Sequence, residues 1–516
     1  MSKSISRVLI AAIIAVFMAF PAFAGGGRDR AAARADTLIV IAPGGEAPSL
    51  DPAMVNHPAS SQVMRQIYNT LFNQDPVTLA ILPGLAERYA FENDANGQPT
   101  RLRLFLRRGV RFHNGDLMTA RDVQFSLERA AASPVIGFIS RQIQSVEVVG
   151  DYEVLVTLVA PFMPILNNLA HTVMSIVSER AVTELGADFA RNPVGTGPMK
   201  FVNWIAGDRI ELTRWDGYFG TAPRFRDLTI RHIADPATAL LELETGGADI
   251  LLSVTPHDIA RVQADPNLRL LRTMGLGMNF IGLNNLRPPL DNVLVRRAIA
   301  HAVNKEALVA NVFQGVGRPG SAPVPSTVWG SASGYLTPYE FNPARARQLL
   351  AEAGFPNGFN TTITASNAPA PRDTAELLRH MLAEVGINAE IRILEAAAWG
   401  TFSAEGQQDI GIHMWSTVTG DPDYALEILH SRSHGAAGNR VFFTNAEVDR
   451  LLDEARMETN RAARERLYLE AQRIIHYQAP WIYTHETELV IATRANVRGF
   501  VPYPTNHHPL WTVYFE

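Results

Sequence analysis

Apolar residues recur along this chain with two periods, and the period changes at glycine and proline. Behind an Asn342-Pro343 start, Ala346, Leu349, Leu350 and Ala353 share one helical face, and Gly354 closes the helix. Leu377, Leu378, Met381, Leu382 and Val385 repeat that face. Gly386 ends it, and Ile387, Ala389, Ile391 and Ile393 then alternate as a strand. Ile410, Ile412 and Met414 alternate next with Gly411 and His413, before the run breaks into Gly420, Asp421 and Pro422, so the stretch from Asp409 to Tyr424 predicts a strand delivering a loop. This succession of helix, glycine and strand predicts an α/β lobe built around the 410s strand. Trp415 stands where the strand ends. It reads either as the wall of a site for a polar organic ligand or as a core aromatic beside an Asx turn at Asp421.

The earlier chain carries a different pattern. Thr37 to Ala42 is a buried-strand candidate, Gly44 to Pro52 a turn-rich loop and Ser61 to Leu71 a helix. Arg101 to Leu106 alternates, Thr119 with Asp122 three residues on predicts a capped helix, and Ser145 to Leu158 reads as a hairpin around Gly150-Asp151. This block predicts a compact α+β unit. Strands follow at Met199 to Trp204 and Arg209 to Arg214, then a helix capped by Asp235 that stops at Gly246-Gly247, and a short strand from Asp249 to Leu252. Arg296 to Ala310, Asn445 to Thr459 and Arg461 to Tyr477 predict helices, and Glu488 to Thr493 and Leu510 to Tyr514 strands.

Composition changes the picture at one end. Of 516 residues, 47% are hydrophobic and 19% charged, with a net charge of −5, which fits a folded chain of roughly three structural units and argues against a nucleic-acid partner. Lys3 and Arg7 precede an apolar run from Val8 to Phe20, then Pro21 and Ala22-Phe23-Ala24, the layout of a secretory signal peptide with cleavage expected after Ala24. Residues 25–35 read as a disordered leader. The run is short against the roughly 20 apolar residues of a membrane span. The chain has no cysteine, hence no thiolate nucleophile and no lipid-modified N-terminal cysteine. A periplasmic protein, anchored by neither span nor lipid, is the expectation.

Motifs for catalysis are weak. Gly315 to Gly320 matches a dinucleotide fingerprint in letters, but Pro319 forbids the helix that would cradle a phosphate. In Gly330 to Gly334 the central residue is Ala332, so it is no nucleophile elbow. The histidines are dispersed, and neither a metal nor a cofactor is expected. A secreted serine hydrolase with a triad assembled from distant segments stays open as an alternative.

Several motifs in one order carry a resemblance: Ser49 to Pro52 (SLDP), Tyr68 to Phe72 (YNTLF), Gly109 to Arg129 (GVRFHNGDLMTARDVQFSLER), Val194 to Pro198 (VGTGP), Val295 to Lys305 (VRRAIAHAVNK), Phe341 to Phe355 (FNPARARQLLAEAGF) and the Trp415 loop. The chain resembles the extracytoplasmic solute-binding proteins of the peptide/opine/nickel class, family 5, which serve ABC importers. The resemblance implies an α/β, two-lobed periplasmic-binding-protein fold of type II, closing on a hinge, with an extra α+β subdomain in lobe one. Lobe one would span residues 36–275, its extra subdomain about 61–191, lobe two 276–487, and residues 488–516 would return to lobe one. It also implies a monomer without enzymatic activity that delivers a short peptide or glutathione-like ligand to a membrane permease. A non-peptide solute such as a metal chelate, opine or sugar is the alternative, because Val418 stands where peptide binders of the class carry a carboxylate for the ligand amine. The implied ligand contacts are Trp415, Thr417, Val418 and Asp421 on the loop, Arg372 for a ligand carboxylate, Met278, Asn279 and Phe280 at the lobe crossing, and Thr196, Gly197 and Glu46 on lobe one.

Overall fold

A computed structural model describes residues 36–43 and 45–516; the expected signal peptide, the leader and Gly44 lie outside the described residues. Ten strands form one mixed sheet. In spatial order they are Ile387–Leu394, Phe359–Ser366, Ile410–Ser416, Leu268–Leu283, Trp481–Arg494, Ile250–Leu251, Thr37–Ala42, Asp227–His232, Arg209–Arg214 and Met199–Ile205. The helix–glycine–strand segments supply one end of it and the early strands the other.

Two strands hold the ends together. Leu268–Leu283 runs for 16 residues and Trp481–Arg494 for 14, antiparallel to each other. At one end Trp481–Arg494 pairs with Ile250–Leu251, and at the other Leu268–Leu283 pairs with Ile410–Ser416. Between them the register slips: Met274 faces Glu488 and Met278 faces Glu486, so Gly275, Leu276 and Gly277 stand opposite Thr487 alone. A Cβ on Gly275 or Gly277 would come within 2.9 or 2.7 Å of the Thr487 hydroxyl, which instead accepts from the Gly277 N–H at 3.1 Å. Glycine is required there by close approach.

A four-stranded antiparallel sheet lies in the first half, in the order Ala86–Glu92, Arg101–Leu106, Glu153–Leu158, Ile143–Gly150. Helix Ala120–Ala131 packs on it, and the Asp122 carboxylate accepts from the Thr119 N–H at 2.9 Å, as the capping pattern predicts. One large apolar cluster joins this sheet to the strands around Leu38 and Leu228. Separate clusters fill the second half on the two sides of its strands, one around Ile281 and Leu378, the other around Met278 and Tyr468. Leu79, from the first half, is buried in the latter.

Several segments depart from the sequence pattern: strands Asp227–His232, Leu268–Leu283 and Phe359–Ser366 form where none was expected, and the strand expected from Glu488 begins at Trp481. The helix expected from Ser61 starts at Pro58 and ends at Ile67, because Tyr68 turns extended and donates its hydroxyl to the Leu50 carbonyl. The helix expected over Arg296 to Ala310 is two, Val293–Ala302 and Lys305–Asn311, since the Asn304 side chain caps the second by accepting from the Ala307 N–H at 2.8 Å. The last expected strand shrinks to Tyr514–Phe515, because the Leu510 N–H goes to the Gln66 side chain at 3.0 Å. No helix among the described residues is long and apolar enough to cross a membrane.

Candidate functional site

The Ile410–Ser416 strand ends at a cavity of about 320 Å³. Its floor is a row of stacked rings. Trp481 lies on Phe280 with centroids 3.7 Å apart, Phe280 on His413 at 5.3 Å, and His413 against Trp399 at 4.9 Å. Strand pairing makes the row: Phe280 faces His413 across the sheet, and Trp481 comes from the neighbouring strand opposite Gly282. Ser366, Thr374, Asn279 and Thr484 supply polar edges.

Trp415 closes one side. Its ring stacks on Tyr424 at 5.6 Å and its N–H donates to the Tyr424 carbonyl at 3.2 Å. With Ile428 it lines both this cavity and a narrower crevice, of about 90 Å³, shared with Phe138, Phe162 and Asn168 of the first half. Trp415 is therefore a partition between the cavity and the contact surface of the two halves. The halves touch at the loop that follows it, where the Thr419 carbonyl accepts from Gln74 and, at 3.2 Å, from Asn167, and again at helix Ala446–Met457, where the Met163 N–H donates to the Arg456 carbonyl at 2.8 Å.

The electrostatics of the cavity are one-sided. Among the described residues no Asp or Glu lines it, and Arg440 is the one full charge in its lining. That guanidinium donates from Nη1 to the Gly400 carbonyl at 2.7 Å and to the Ser403 hydroxyl. Burial alone lowers its pKa, with no carboxylate raising it. His413 is neutral, because burial, reinforced by Arg440, pushes its pKa down to about 3. Arg440 is held by Asn439, which is fully buried and bonds Phe443 through both its side-chain oxygen and nitrogen.

Of the residues expected at the site, Trp415, Asn279 and Phe280 line the cavity. Thr417 is buried beside it, its N–H bonded to the Leu276 carbonyl at 2.9 Å, and the Val418 N–H turns back to Ser416. Arg372 lies one residue beyond Pro371, which lines the cavity, but its side chain is 55% exposed and pairs with Asp373 at 3.3 Å. Met278 is core, against Gly320. The Asp421 carboxylate is fully buried, bonded to Arg464 at 2.7 Å and to the Asp423 N–H at 3.0 Å. Asp423 is committed to Arg456 at 2.7 Å. Thr196 donates its hydroxyl to Asn69 at 3.1 Å, Gly197 packs on the Ile67 backbone, and Glu46 accepts from the Trp204 indole at 2.8 Å. None of these last three lines either cavity at Trp415. Arg440, Trp399 and Trp481 do belong to the cavity and stand out by no sequence motif; only the Gly438-Asn439 turn before Arg440 marks the place.

The family model for bacterial extracellular solute-binding proteins, family 5 Middle, matches residues 80–437, and the chain belongs to that family. It is thus a substrate-binding protein of the extracytoplasmic class. The glutathione-binding protein of Pectobacterium atrosepticum is 32% identical over 479 residues, which cover 90% of this chain and 91% of that one. Heme-binding protein A of Haemophilus influenzae is 34% identical over 504 residues, 92% of this chain and 90% of the relative. The solved structure of HbpA2 from Haemophilus parasuis superposes with a TM-score of 0.85 at 31% identity, covering 93% of this chain and all of that one.

Proposed function

We propose that this protein binds a short peptide of the glutathione kind in the ring-floored cavity and presents it, in the periplasm, to the permease of an ABC importer. The cavity carries the reading: its volume of about 320 Å³ suits a ligand of a few residues, and its aromatic floor with scattered polar edges is the usual makeup of a small-molecule site. The name of the Pectobacterium relative points the same way. Asn279, Phe280 and Trp415 contact the ligand, Thr417 and Val418 shape the loop, and Arg372 stands at the rim. The chain works as a monomer of two lobes, 36–275 with 488–516 and 276–487, and the slip at Gly275–Gly277 opposite Thr487 is the hinge. Ligand contacts made only when the lobes meet shift the population toward the closed form.

Calorimetry with glutathione, dipeptides and hemin tests this. A saturable one-to-one heat with a peptide, without turnover of it, supports the reading; tight binding of hemin and no peptide heat would assign the cavity to a flat tetrapyrrole, as the name of the Haemophilus influenzae relative suggests.

A further inference from the structure

Resting on that reading, we infer that Arg440 is the anchor for a ligand carboxylate and that the site holds no counterpart for a ligand ammonium, so it selects peptides of net negative charge over zwitterions. The argument starts from what the guanidinium lacks. Nη1 is used by Gly400 and Ser403, while Nε and Nη2 have no protein partner among the described residues. Arginine is always charged and offers donors in a fixed fork that matches a carboxylate. A half-buried arginine over an aromatic floor, with no acid among the lining residues, is an unbalanced positive charge. The ion pairs around the neighbouring crevice are closed: Asp421 on Arg464, Asp423 on Arg456, Glu427 on Arg456 and Arg432.

Near the Trp415 loop, Asp423 and Glu427 are therefore paired before a ligand arrives, Asp421 is fully buried although its Oδ2 has no partner among the described residues, and Val418 adds no acid. A zwitterionic dipeptide would bury its ammonium without a partner, which costs heavily. A γ-glutamyl peptide carries two carboxylates for one ammonium. It can give one carboxylate to Arg440 and leave the ammonium toward solvent. Arg372 at the rim is the less suited anchor, because its side chain is 55% exposed and already beside Asp373.

The test is calorimetry with glutathione, its N-acetyl derivative and its diethyl ester, on wild type, Arg440→Gln and Arg440→Lys. Wild type should bind the N-acetyl derivative within about threefold of glutathione and the diethyl ester at least about tenfold more weakly. Arg440→Gln should lose about tenfold or more on glutathione and no longer distinguish it from the ester, with Arg440→Lys between the two. Melting temperatures control for folding, and the ligand series on wild type needs no variant. Unchanged glutathione affinity in Arg440→Gln, or a tenfold loss on N-acetylation, overturns the inference while leaving the peptide reading intact. A wild type that binds neither glutathione nor any dipeptide overturns both.

Discussion

Arg464 reaches from its helix to the Asp421 carboxylate at 2.7 Å, with both side chains out of solvent. Asp421 also caps helix Pro422–Leu426. The acid at the heart of the Trp415 loop is thus a strut that fixes the turn behind Trp415. Removing one partner of a buried pair leaves the other charge stranded, which costs about 3–5 kcal/mol. Asp421→Ala should lower stability by that order in chemical denaturation. A ligand contact at Asp421 would instead lower affinity with the denaturation midpoint unchanged.

His113 ties two motifs of the family together. Its Nε2 donates to the Gly197 carbonyl at 2.9 Å and its Nδ1 accepts from the Gly195 N–H at 3.4 Å, so the ring is needed neutral. Burial pushes its pKa down to about 4, and that of His171 likewise; His413 and His508 fall to about 3. The unfolded chain binds these protons below its ordinary histidine pKa, the folded chain only near the lowered values. The stability they hold is complete above about pH 6.5 and is lost as pH falls toward 4. The melting temperature should drop across that window, and His113→Gln, which keeps a donor and an acceptor, should flatten the drop. A melting temperature level from pH 7 to pH 4 would contradict the buried neutral histidines.

Legibility in the sequence follows from which forces are local. Gly354 stands just past the cap of helix Pro343–Glu352 and Asp122 caps where the spacing places it, because these depend on neighbours a few residues away. Helix Pro369–Ala383, by contrast, stops short of Val385 and Gly386. The break at Asn304 was hidden inside a continuous apolar face, since the capping turn costs no change of period. The ten-stranded sheet depends on pairing between residues two hundred apart, such as Thr273 with Leu489, for which the chain carries no local mark. The site divides the same way. Trp415 sits at the end of a strand that the alternation locates, whereas Asn279 and Phe280, on a strand that no alternation marks, come only from the family resemblance. Arg440 reaches the cavity only because Asn439 is clamped by Phe443, and Trp399 only because its helix lies over the strand end.

Gly420 stands at the contact between the halves. Its φ of +67° is expensive for any residue with a side chain, and a Cβ there would lie 3.0 Å from Gln74 Nε2 and 3.2 Å from Leu79. Both neighbours belong to the first half, so the strain falls on the contact between halves. Gly420→Ala should weaken ligand binding by about tenfold, with a larger radius of gyration by small-angle scattering of the ligand-loaded protein. An unchanged radius and affinity would mean that the Thr419 contact plays no part in closure.

Trp415 separates two roles that one substitution series can resolve. Its ring gives the cavity a wall and stacks on Tyr424; its N–H holds the Tyr424 carbonyl. Trp415→Phe keeps most of the wall and loses one hydrogen bond, worth about 1 kcal/mol, chiefly in stability. Trp415→Ala removes the partition between cavity and crevice, exposing the ligand to the contact surface of the halves. Affinity should therefore hold within about fivefold in the first variant and fall by tenfold or more in the second, on the order of 1.4 kcal/mol or beyond. Calorimetry gives both numbers, and ligand quenching of tryptophan emission should persist in each, because Trp399 and Trp481 remain on the floor. Wild-type affinity in Trp415→Ala would remove the partition from the binding site and leave Trp415 as a packing residue of its loop.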